Sequence, residues 1–338
     1  MEHLIEFGVF FGKVLVVVVA VAGLLLLIVA LAAKNKLKPD FHIEDVNAKL
    51  DDLGHMLKEV VFDKKALKAD EKAHKEKLKK EEAEEKASHK AKPQIFVLKF
   101  EGDVEASQVD QLRDEVTAVL TVAKPGDEVV AVIESPGGTV HGYGLAAAQL
   151  LRLKSAGIKV VAAVDKVAAS GGYMMACTAD RIIAAPFAII GSIGVVAQVP
   201  NFHKLLKKHD VDYEEISAGE YKRTVSLLGE ITEKGRAKFR EQIEDTHVLF
   251  KDFVKRNRPQ VEVANVATGE YWFGLRAKEL NLIDEVMTSD EYLMSNREQS
   301  RIFSIKIEPK KSFAEKLNEA FAKSAVKAFK SAIYKNEI

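Results

Sequence analysis

A serine and a lysine in this sequence have the residue types and surroundings that acyl transfer requires. Ser170 follows an apolar run and precedes two glycines, and Lys222 lies 52 residues later, after a Gly-Glu-Tyr sequence. A serine hydroxyl is a weak nucleophile that needs a base, and a lysine amine can be that base once burial lowers its pKa. The pair predicts a serine-lysine hydrolase with Ser170 as the nucleophile and Lys222 as the general base.

A glycine turn upstream has the composition needed to stabilise the negative charge that develops on a reacting carbonyl oxygen. It reads Ser-Pro-Gly-Gly at residues 135–138 and, like Ser170, directly follows an apolar run. Gly138 has no side chain, so its backbone NH can approach a reacting oxygen closely, and Gly171 at a helix start offers a second NH. These two NH groups are predicted to form the oxyanion hole.

Other bases, and a purely structural lysine, stay open from the residues alone. His141 lies close to the glycine turn and is the histidine alternative, whereas His203 lies in a polar segment and is interpreted as a surface residue. Lys222 is one of 50 lysines and arginines and could be an ordinary surface lysine. A buried apolar cradle around it is favoured instead by its neighbours Tyr221, Val225, Leu227 and Leu228.

Apolar runs of strand length alternate with helical patterns from residue 93 onward. This alternation predicts an α/β fold with a mostly parallel sheet, and ligands bind such sheets beyond the carboxyl ends of the strands. The glycine turn and Ser170 both fall at such ends. Strands are predicted at residues 95–100, 128–133 and 159–164, and helices at 109–122, 143–154, 168–180 (with Ser170 in its first turn) and 232–256.

A second uncharged stretch, residues 182–199, is interpreted as a buried strand and turn. It is 18 residues long and could otherwise span a membrane. Pro186, Gly191 and Gly194 would interrupt a helix, which favours the strand and turn.

The N-terminal region contains the strongest hydrophobic segment. Residues 14–33 are 20 residues without a charge, and a helix of that length covers about 30 Å, the thickness of the bilayer hydrocarbon core. A cleavable signal sequence is the alternative, but its apolar core would be shorter. We predict one retained N-terminal transmembrane helix that contacts the lipid bilayer through residues 14–33.

The segment that follows, residues 34–92, is predicted to be a charged helical stalk. Residues 63–92 alone contain 11 lysines and 8 acidic residues, with many alanines and neither proline nor glycine. Interleaved charges on good helix formers favour a helix, although a merely solvated charge run is the alternative. The first half of the stalk has an apolar stripe with helical spacing, formed by Leu50, Leu53, Leu57 and Val61.

Composition limits the partners and cofactors. The 50 basic residues balance 50 acidic ones, so no net field attracts nucleic acid and no nucleic-acid partner is expected. Cys177 is the only cysteine, which excludes an intramolecular disulfide, and it is predicted to be a small core residue. The sequence has no phosphate-loop pattern and no His-Glu-x-x-His motif, so no cofactor or metal is expected.

Taken in order, five short motifs resemble those of the S49 peptidases, the signal-peptide peptidase family. The resemblance implies a ClpP/crotonase-like fold, Ser170 as nucleophile, Lys222 as general base, and oxyanion donors near Gly138 and Gly171. It suggests that Ser192 orients the lysine amine. It also implies a ring-like homo-oligomer in which the lysine can reach a neighbouring subunit's serine. The motifs lie at residues 134–138, 169–173, 191–195, 219–222 and 273–274 with 282–284.

These observations predict a membrane-anchored serine endopeptidase with four segments. It would cleave peptides or unfolded segments, such as signal-peptide remnants or quality-control substrates, at the bacterial inner membrane. The segments are a transmembrane anchor at residues 1–33, the stalk at 34–92, a Ser-Lys peptidase domain at 93–290 and a basic amphipathic tail at 291–338.

The orientation of the membrane segment and two other function classes are left open by the residues. The family resemblance favours a periplasmic catalytic domain, whereas Lys34, Lys36 and Lys38 would retain it in the cytoplasm by the positive-inside rule. A catalytically silent membrane scaffold would keep the same fold without reactivity. A crotonase-like acyl-CoA enzyme would need the glycine turn but would explain neither the Ser170 and Lys222 pair nor the anchor.

Overall fold

The computed structural model describes residues 15–16, 40–88 and 92–308. The chain divides into two compact units, residues 42–307 and residues 1–41 with 308–338, and nearly all of the second unit lies outside the described residues. The predicted span at residues 14–33, apart from residues 15–16, and the tail beyond residue 308 therefore lie outside them too. Within the described ranges no helix has both the length and the apolar character needed to cross a bilayer.

Ten strands form two sheets in the described part of the chain. A seven-stranded sheet has the order β1-β10-β2-β3-β4-β6-β9, and neighbouring strands from β10 to β9 run parallel. Three short strands form a second sheet in the order β5-β7-β8. The strands are β1 (Asp40–Asp45), β2 (Gln94–Glu101), β3 (Glu128–Glu134), β4 (Lys159–Val164), β5 (Val167–Ala169), β6 (Arg181–Ala184), β7 (Ile189–Gly191), β8 (Tyr271–Phe273), β9 (Glu285–Val286) and β10 (Arg301–Glu308).

Ten helices surround or extend from these sheets in the same residues. The long ones have the apolar periodicity or the alternating charges that the sequence shows. They are α1 (Val46–Val61), α2 (Lys64–Ser88), α3 (Val109–Val122), α4 (Val140–Ser155), α5 (Gly171–Ala176), α6 (His203–Lys208), α7 (Glu233–Asn257), α8 (Val263–Val266), α9 (Gly274–Glu279) and α10 (Ser289–Asn296).

The central strands are buried on both faces, which explains why they read as continuous apolar runs. In β2, Phe96 and Leu98 face a large core that includes residues of α3, α4, α5 and α7. Ile95 and Val97 alternate with them and face a smaller cluster that includes Tyr292 of α10. Side chains on alternate sides of a strand thus tie the sheet to both of its helical layers.

Most predicted elements are confirmed, with the helix at residues 168–180 as the main correction. Helix 109–122, strand 159–164 and the strand and turn at 182–199 all form. Residues 167–169 instead form β5, and Ser170 is the N-cap residue directly before the short helix α5. The reason is tertiary, because Ala169 NH donates to Ser135 O in the glycine turn after β3 and residues 167–169 pair with β7.

The stalk region is helical but its first helix docks on the domain. α1 and α2 account for most of residues 46–88, and the strand β1 before them was not predicted. Asn47 donates to the carbonyl oxygens of Arg297 and Ser300 at 2.8 and 3.1 Å and accepts from the Ile302 NH at 2.7 Å. The predicted boundary at residue 290 lies inside α10, since residues 289–308 form α10 and β10.

Candidate active site

Ser170 is held by the strand ends on either side of it. Its NH donates to the Gly191 carbonyl oxygen at 2.8 Å. Ser135, the first residue of the glycine turn, donates to Val167 O at 2.8 Å and accepts from Ala169 NH at 3.0 Å. The carboxyl ends of β3, β5 and β7 therefore meet at Ser170, as expected for a ligand site in an α/β fold.

The backbone of Ser170 is strained. Its φ is 51° and its ψ is −117°, a conformation that residues with a side chain rarely adopt. Such a conformation costs about 1–3 kcal/mol and persists where surrounding structure imposes it, often at functional sites. Here the turn presents a half-buried serine directly before the first turn of α5.

The glycine turn packs against Ser170 so closely that no side chain fits. Gly137 has a φ of 93°, and a Cβ added to it would lie 2.7 Å from the Ser170 Cβ. Its NH donates to the Ser135 hydroxyl at 3.0 Å. In the described part of the chain no group accepts a hydrogen bond from the NH groups of Gly138 and Gly171, so both are free to bind an oxygen.

A cavity of about 800 Å³ opens in front of these groups. Ser170, Gly138, Gly171 and Ser192 all line it, and its volume is in the range of ligand-binding clefts. The rest of the wall is largely apolar, and α7 contributes a large share of it. Its apolar lining side chains are Pro136, Val140, Met174, Val195, Val196, Leu249, Phe250 and Phe253.

Ser192, like Ser170, has a positive φ. Its φ is also 51°, its NH donates to Glu270 O at 2.7 Å, and its hydroxyl makes only a long contact of 3.4 Å with Gly269 O. The hydroxyl is therefore weakly bound at the cavity wall, where another group can compete for it.

Lys222 is not brought to this cavity within one chain. It is exposed in an irregular segment, its NH donates to Gly219 O at 3.1 Å, and it is not one of the cavity-lining residues. The expected apolar cradle is absent, since Tyr221 and Leu227 are themselves 43% and 47% exposed. The reason is that residues 194–249 form a long excursion in which no residue is buried.

Histidine positions differ from the sequence-based expectation. His141 is exposed on α4 and does not line the cavity. His247 of α7 does line it, and its Nε2 is buried without a partner among the described residues. His247 was not predicted, because it lies in a charged helix and no motif surrounds it. No group of three or more metal-ligating side chains is found in the part of the chain that the structure describes.

The Leu-Ile-Asp motif at residues 282–284 has a structural role that supports the cavity wall. Arg258, at the end of α7, is buried and donates to both carboxylate oxygens of Asp284 at 2.8 and 2.9 Å. Ile182 NH of β6 donates to the same carboxylate at 2.7 Å. Burial alone would raise the pKa of Asp284, but these hydrogen bonds outweigh it and hold that pKa below its usual value.

Cys177 is confirmed as a core residue. It is fully buried, and its thiol contacts the Met174 carbonyl oxygen at 3.2 Å. Burial raises the pKa of the Cys177 thiol to about 12, so the thiolate is not formed near neutral pH.

Comparison with known proteins identifies the family. The profile described as Peptidase family S49 matches residues 152–302, and that described as Peptidase family S49 N-terminal matches residues 2–150. "Probable protease SohB" of Haemophilus influenzae is 46% identical over 337 residues, which cover 96% of this chain and 95% of the relative. "Probable protease SohB" of Buchnera aphidicola subsp. Acyrthosiphon pisum is 52% identical over 225 residues, 67% of each chain.

More distant similarities extend to a larger protease and to a solved structure. "Protease 4" of Haemophilus influenzae is 28% identical over 228 residues, which cover 63% of this chain and 37% of that protein. The solved structure of a membrane-bound stomatin-specific protease in complex with a substrate peptide matches 69% of this chain and 99% of its own. Its identity is 14% and its TM-score 0.42. The two family profiles and the relative that spans nearly the whole sequence establish that this chain belongs to peptidase family S49.

Proposed function

We propose that this protein is a serine endopeptidase in which Ser170 attacks the peptide carbonyl and Lys222 is the general base. The observation that carries the proposal is the position of Ser170 on a strained turn at a cavity bordered by the free NH groups of Gly138 and Gly171. Membership of a peptidase family supports the same reaction. A ClpP/crotonase-like fold agrees with the mostly parallel sheet and the glycine turn at its edge.

The proposed mechanism proceeds by acyl transfer. The neutral amine of Lys222 takes the Ser170 proton as Ser170 Oγ bonds to the carbonyl carbon, and the oxyanion accepts from Gly138 and Gly171 NH. The C–N bond then breaks and the lysine ammonium returns the proton to the leaving amine. Water, deprotonated by the same lysine, hydrolyses the acyl-enzyme and restores Ser170. Ser192 would hold the lysine amine in place.

A neighbouring subunit is the proposed source of Lys222. Residues 194–249 have no buried residue yet expose large apolar side chains, including Val196 at 81% and Ile216 at 90%. Exposed large apolar side chains gathered in one segment are typical of an interface, and a second copy that covers them would bury the segment containing Lys222. The family resemblance supports a ring-like homo-oligomer assembled in this way.

The proposed substrates are peptides or unfolded protein segments at a membrane. The apolar wall formed by Met174, Leu249 and Phe253 would bind apolar side chains of an extended peptide. Residues 14–33 have the length and composition of a single transmembrane anchor in the bacterial inner membrane, with the catalytic domain in the periplasm. Cleavage of signal-peptide remnants or of damaged proteins would fit such a location.

Covalent labelling of the full-length protein in detergent tests the nucleophile and the base. A serine-directed fluorophosphonate should modify Ser170 in the wild type, and Ser170→Ala and Lys222→Ala should both lose the adduct. His247→Ala should keep it, which makes this variant the control for a histidine base at the same cavity. An assembled wild-type protein without an adduct would favour the silent scaffold, and labelling that survives Lys222→Ala would remove lysine as the base.

Mixing the two inactive variants tests whether the lysine acts between subunits. Hetero-oligomers of Ser170→Ala and Lys222→Ala subunits should regain peptide cleavage, because some sites then pair an intact serine with a neighbour's intact lysine. Each variant alone should stay inactive. A mixture that exchanges subunits but stays inactive would assign both residues of a site to one chain.

Cysteine accessibility tests the orientation. Cys177 is buried, so a Lys75→Cys variant provides one exposed thiol on α2. In intact spheroplasts a membrane-impermeant maleimide should label it if the domain is periplasmic. Labelling that requires cell lysis would place the domain in the cytoplasm, as the lysines after residue 33 suggest.

A further inference from the structure

Two buried hydroxyl groups lie beneath the glycine turn. Ser135 and Tyr143 are both fully buried, and their oxygen atoms are 2.5 Å apart. Tyr143 also contacts the Asp103 carbonyl oxygen at 2.7 Å, and Ser135 Oγ contacts the Gly137 NH at 3.0 Å. The mechanism proposed above uses neither side chain.

The direction of each hydrogen bond follows from the groups at the two ends. A carbonyl oxygen can only accept, so the Tyr143 hydroxyl must donate to Asp103 O. The tyrosine oxygen then accepts from the Ser135 hydroxyl, whose own oxygen accepts from Gly137 NH. Burial raises the pKa of Tyr143, which keeps its proton in place. The result is an ordered chain from the glycine turn through two hydroxyls to the loop after β2.

Two glycines lie directly against this pair, and a side chain at either position would overlap it. A Cβ on Gly102 would lie 2.3 Å from the Tyr143 hydroxyl and 2.5 Å from Ser135 Oγ. A Cβ on Gly171 would lie 2.3 Å from Tyr143 Cγ. The tyrosine therefore contacts both sides of the proposed oxyanion hole, the glycine turn through Ser135 and Gly171 through its ring.

The hydrogen bond to Ser135 also decides which NH of the turn is free. Gly137 NH is occupied, whereas Gly138 NH has no acceptor among the described residues and borders the cavity. If Ser135 released Gly137, the turn would lose the bond that holds the Gly137 peptide plane and would keep the one from Thr139 NH to Val104 O at 2.8 Å. The direction of Gly138 NH would then be less restrained, although the strands around it stayed intact.

We propose that Ser135 and Tyr143 are positioning residues that hold Gly138 NH and Gly171 in the geometry of the oxyanion hole. This proposal rests on the proposed peptidase function. A misplaced donor weakens binding of the transition state more than binding of the substrate, so the loss should fall on kcat. A merely structural hydroxyl would instead change stability without a selective loss of kcat.

The test removes one hydroxyl at a time from the full-length enzyme. Tyr143→Phe and Ser135→Ala should each lower kcat about 10- to 100-fold, which is no more than the fall in kcat caused by removing an oxyanion donor itself. KM should change less than about twofold. Tyr292→Phe is the matched control: its buried hydroxyl donates to Glu128 Oε1 at 2.6 Å at the opposite end of β3, and kcat should not change.

A pair of inhibitors separates a positioning role from a general loss of fit. A peptide aldehyde forms a hemiacetal oxyanion on the serine, whereas the corresponding peptide alcohol does not. The Tyr143→Phe variant should bind the aldehyde at least about 10-fold more weakly and the alcohol unchanged. Equal weakening of both, or an unchanged kcat in both folded variants, would overturn the proposal.

The outcomes also separate this proposal from the peptidase function itself. If Ser170 reacts with the fluorophosphonate in the wild type but the two variants keep their kcat, only the positioning role fails. If the wild type neither reacts nor cleaves peptides, the proposed function fails and the positioning role fails with it. Should Ser135→Ala not fold, Tyr143→Phe alone decides, since it keeps the ring that packs on Gly171.

Discussion

The turn at Ser170 and the excursion at Lys222 are opposites in packing. Gly137 and Gly219 have nearly the same φ, 93° and 95°. A Cβ on Gly137 would collide with Ser170, whereas nothing lies within 4 Å of a Cβ on Gly219. One half of the proposed dyad is therefore fixed by its own chain, and the other half needs a surface that one chain does not supply.

This difference has a consequence for assembly and activity. A nucleophile built into a rigid core stays in place in every copy, while a base on an exposed segment becomes competent only when that segment is covered. Activity would then depend on protein concentration, because in an isolated subunit Lys222 lies outside the cavity that Ser170 borders.

Gly137→Ala should abolish the reactivity of Ser170, the half of the proposed dyad that its own chain holds in place. The added methyl group would meet Ser170 Cβ at 2.7 Å and must displace the nucleophile, so fluorophosphonate labelling should fall at least about 100-fold. Gly126→Ala is the control, since Gly126 also has a positive φ, 102°, but open space around it. That variant should keep full labelling and lose about 1–2 kcal/mol of stability. Normal labelling of Gly137→Ala would show that the glycine turn can shift to accommodate the methyl group without displacing Ser170.

Asp284→Ala should destabilise the fold where the excursion returns to the core. It leaves the buried Arg258 without its carboxylate, which should lower the free energy of unfolding by about 2–4 kcal/mol in urea titrations. Glu285→Ala, which removes a half-exposed partner of Arg181, should cost less than about 1 kcal/mol. Similar losses in the two variants would contradict the importance of the buried pair.

The Asp284 contribution should also depend on pH in one direction. Its pKa is lowered in the folded state from a usual value of 3.8, so the unfolded chain binds the proton more tightly. The stabilisation is present above the unfolded-state pKa and is lost as the pH falls through the lower folded-state pKa. The stability difference between wild type and Asp284→Ala should therefore be full at pH 7 and shrink below pH 3.8. A difference that grows on acidification would contradict this sign.

Ile216→Asp should weaken assembly without unfolding the subunit. Ile216 is 90% exposed within the excursion, and a carboxylate there would be buried unpaired if a second copy covers it. Mass photometry should show dissociation at roughly 10-fold higher protein concentration, with cleavage reduced in parallel. Val60→Asp on α1, where Val60 is 85% exposed, should leave both unchanged. Unaltered assembly of Ile216→Asp would remove this residue from the interface.

The rates at which two thiols react should differ between the buried core and the exposed segment around Lys222, with no effect on folding. In the native protein Cys177 should resist maleimide, because it is fully buried and its pKa is raised to about 12. A cysteine introduced by Lys222→Cys should react at the rate of an exposed thiol in dissociated subunits and more slowly in the assembled protein. Equal rates in both states would mean that assembly leaves this segment uncovered.

Much of the fold was predictable because the central elements carry strong local patterns. The strand at residues 159–164 follows directly from a continuous run of apolar residues, and the helix at 109–122 follows from helical periodicity. The short strand β5 was not predictable in the same way. Its three residues pair with Ser135 and with β7, so their conformation depends on partners that are distant in the sequence.

The candidate site also contains residues that local sequence predicts and residues that only distant contacts bring into place. Ser170, Gly138, Gly171 and Ser192 were expected from motifs, and the fold brings all four to one cavity. His247 and the hydroxyl of Tyr143 were missed as parts of the site region because each lies on a helix whose own sequence gives no reason for its direction. Lys222 was expected to be buried, but apolar neighbours in a sequence produce burial only when another surface packs on them.

Residue types and spacing alone predict the candidate chemistry: a serine beside glycines, a lysine in a recognisable motif and strands that end at both glycine sites. These are local properties, set by residue type and spacing. Three features follow only from the folded chain: the strained backbone of Ser170, the occupied NH of Gly137 beside the free NH of Gly138, and the position of Lys222 outside the cavity of its own chain. Those outcomes depend on contacts between strands, turns and helices far apart in the chain, which no local pattern encodes.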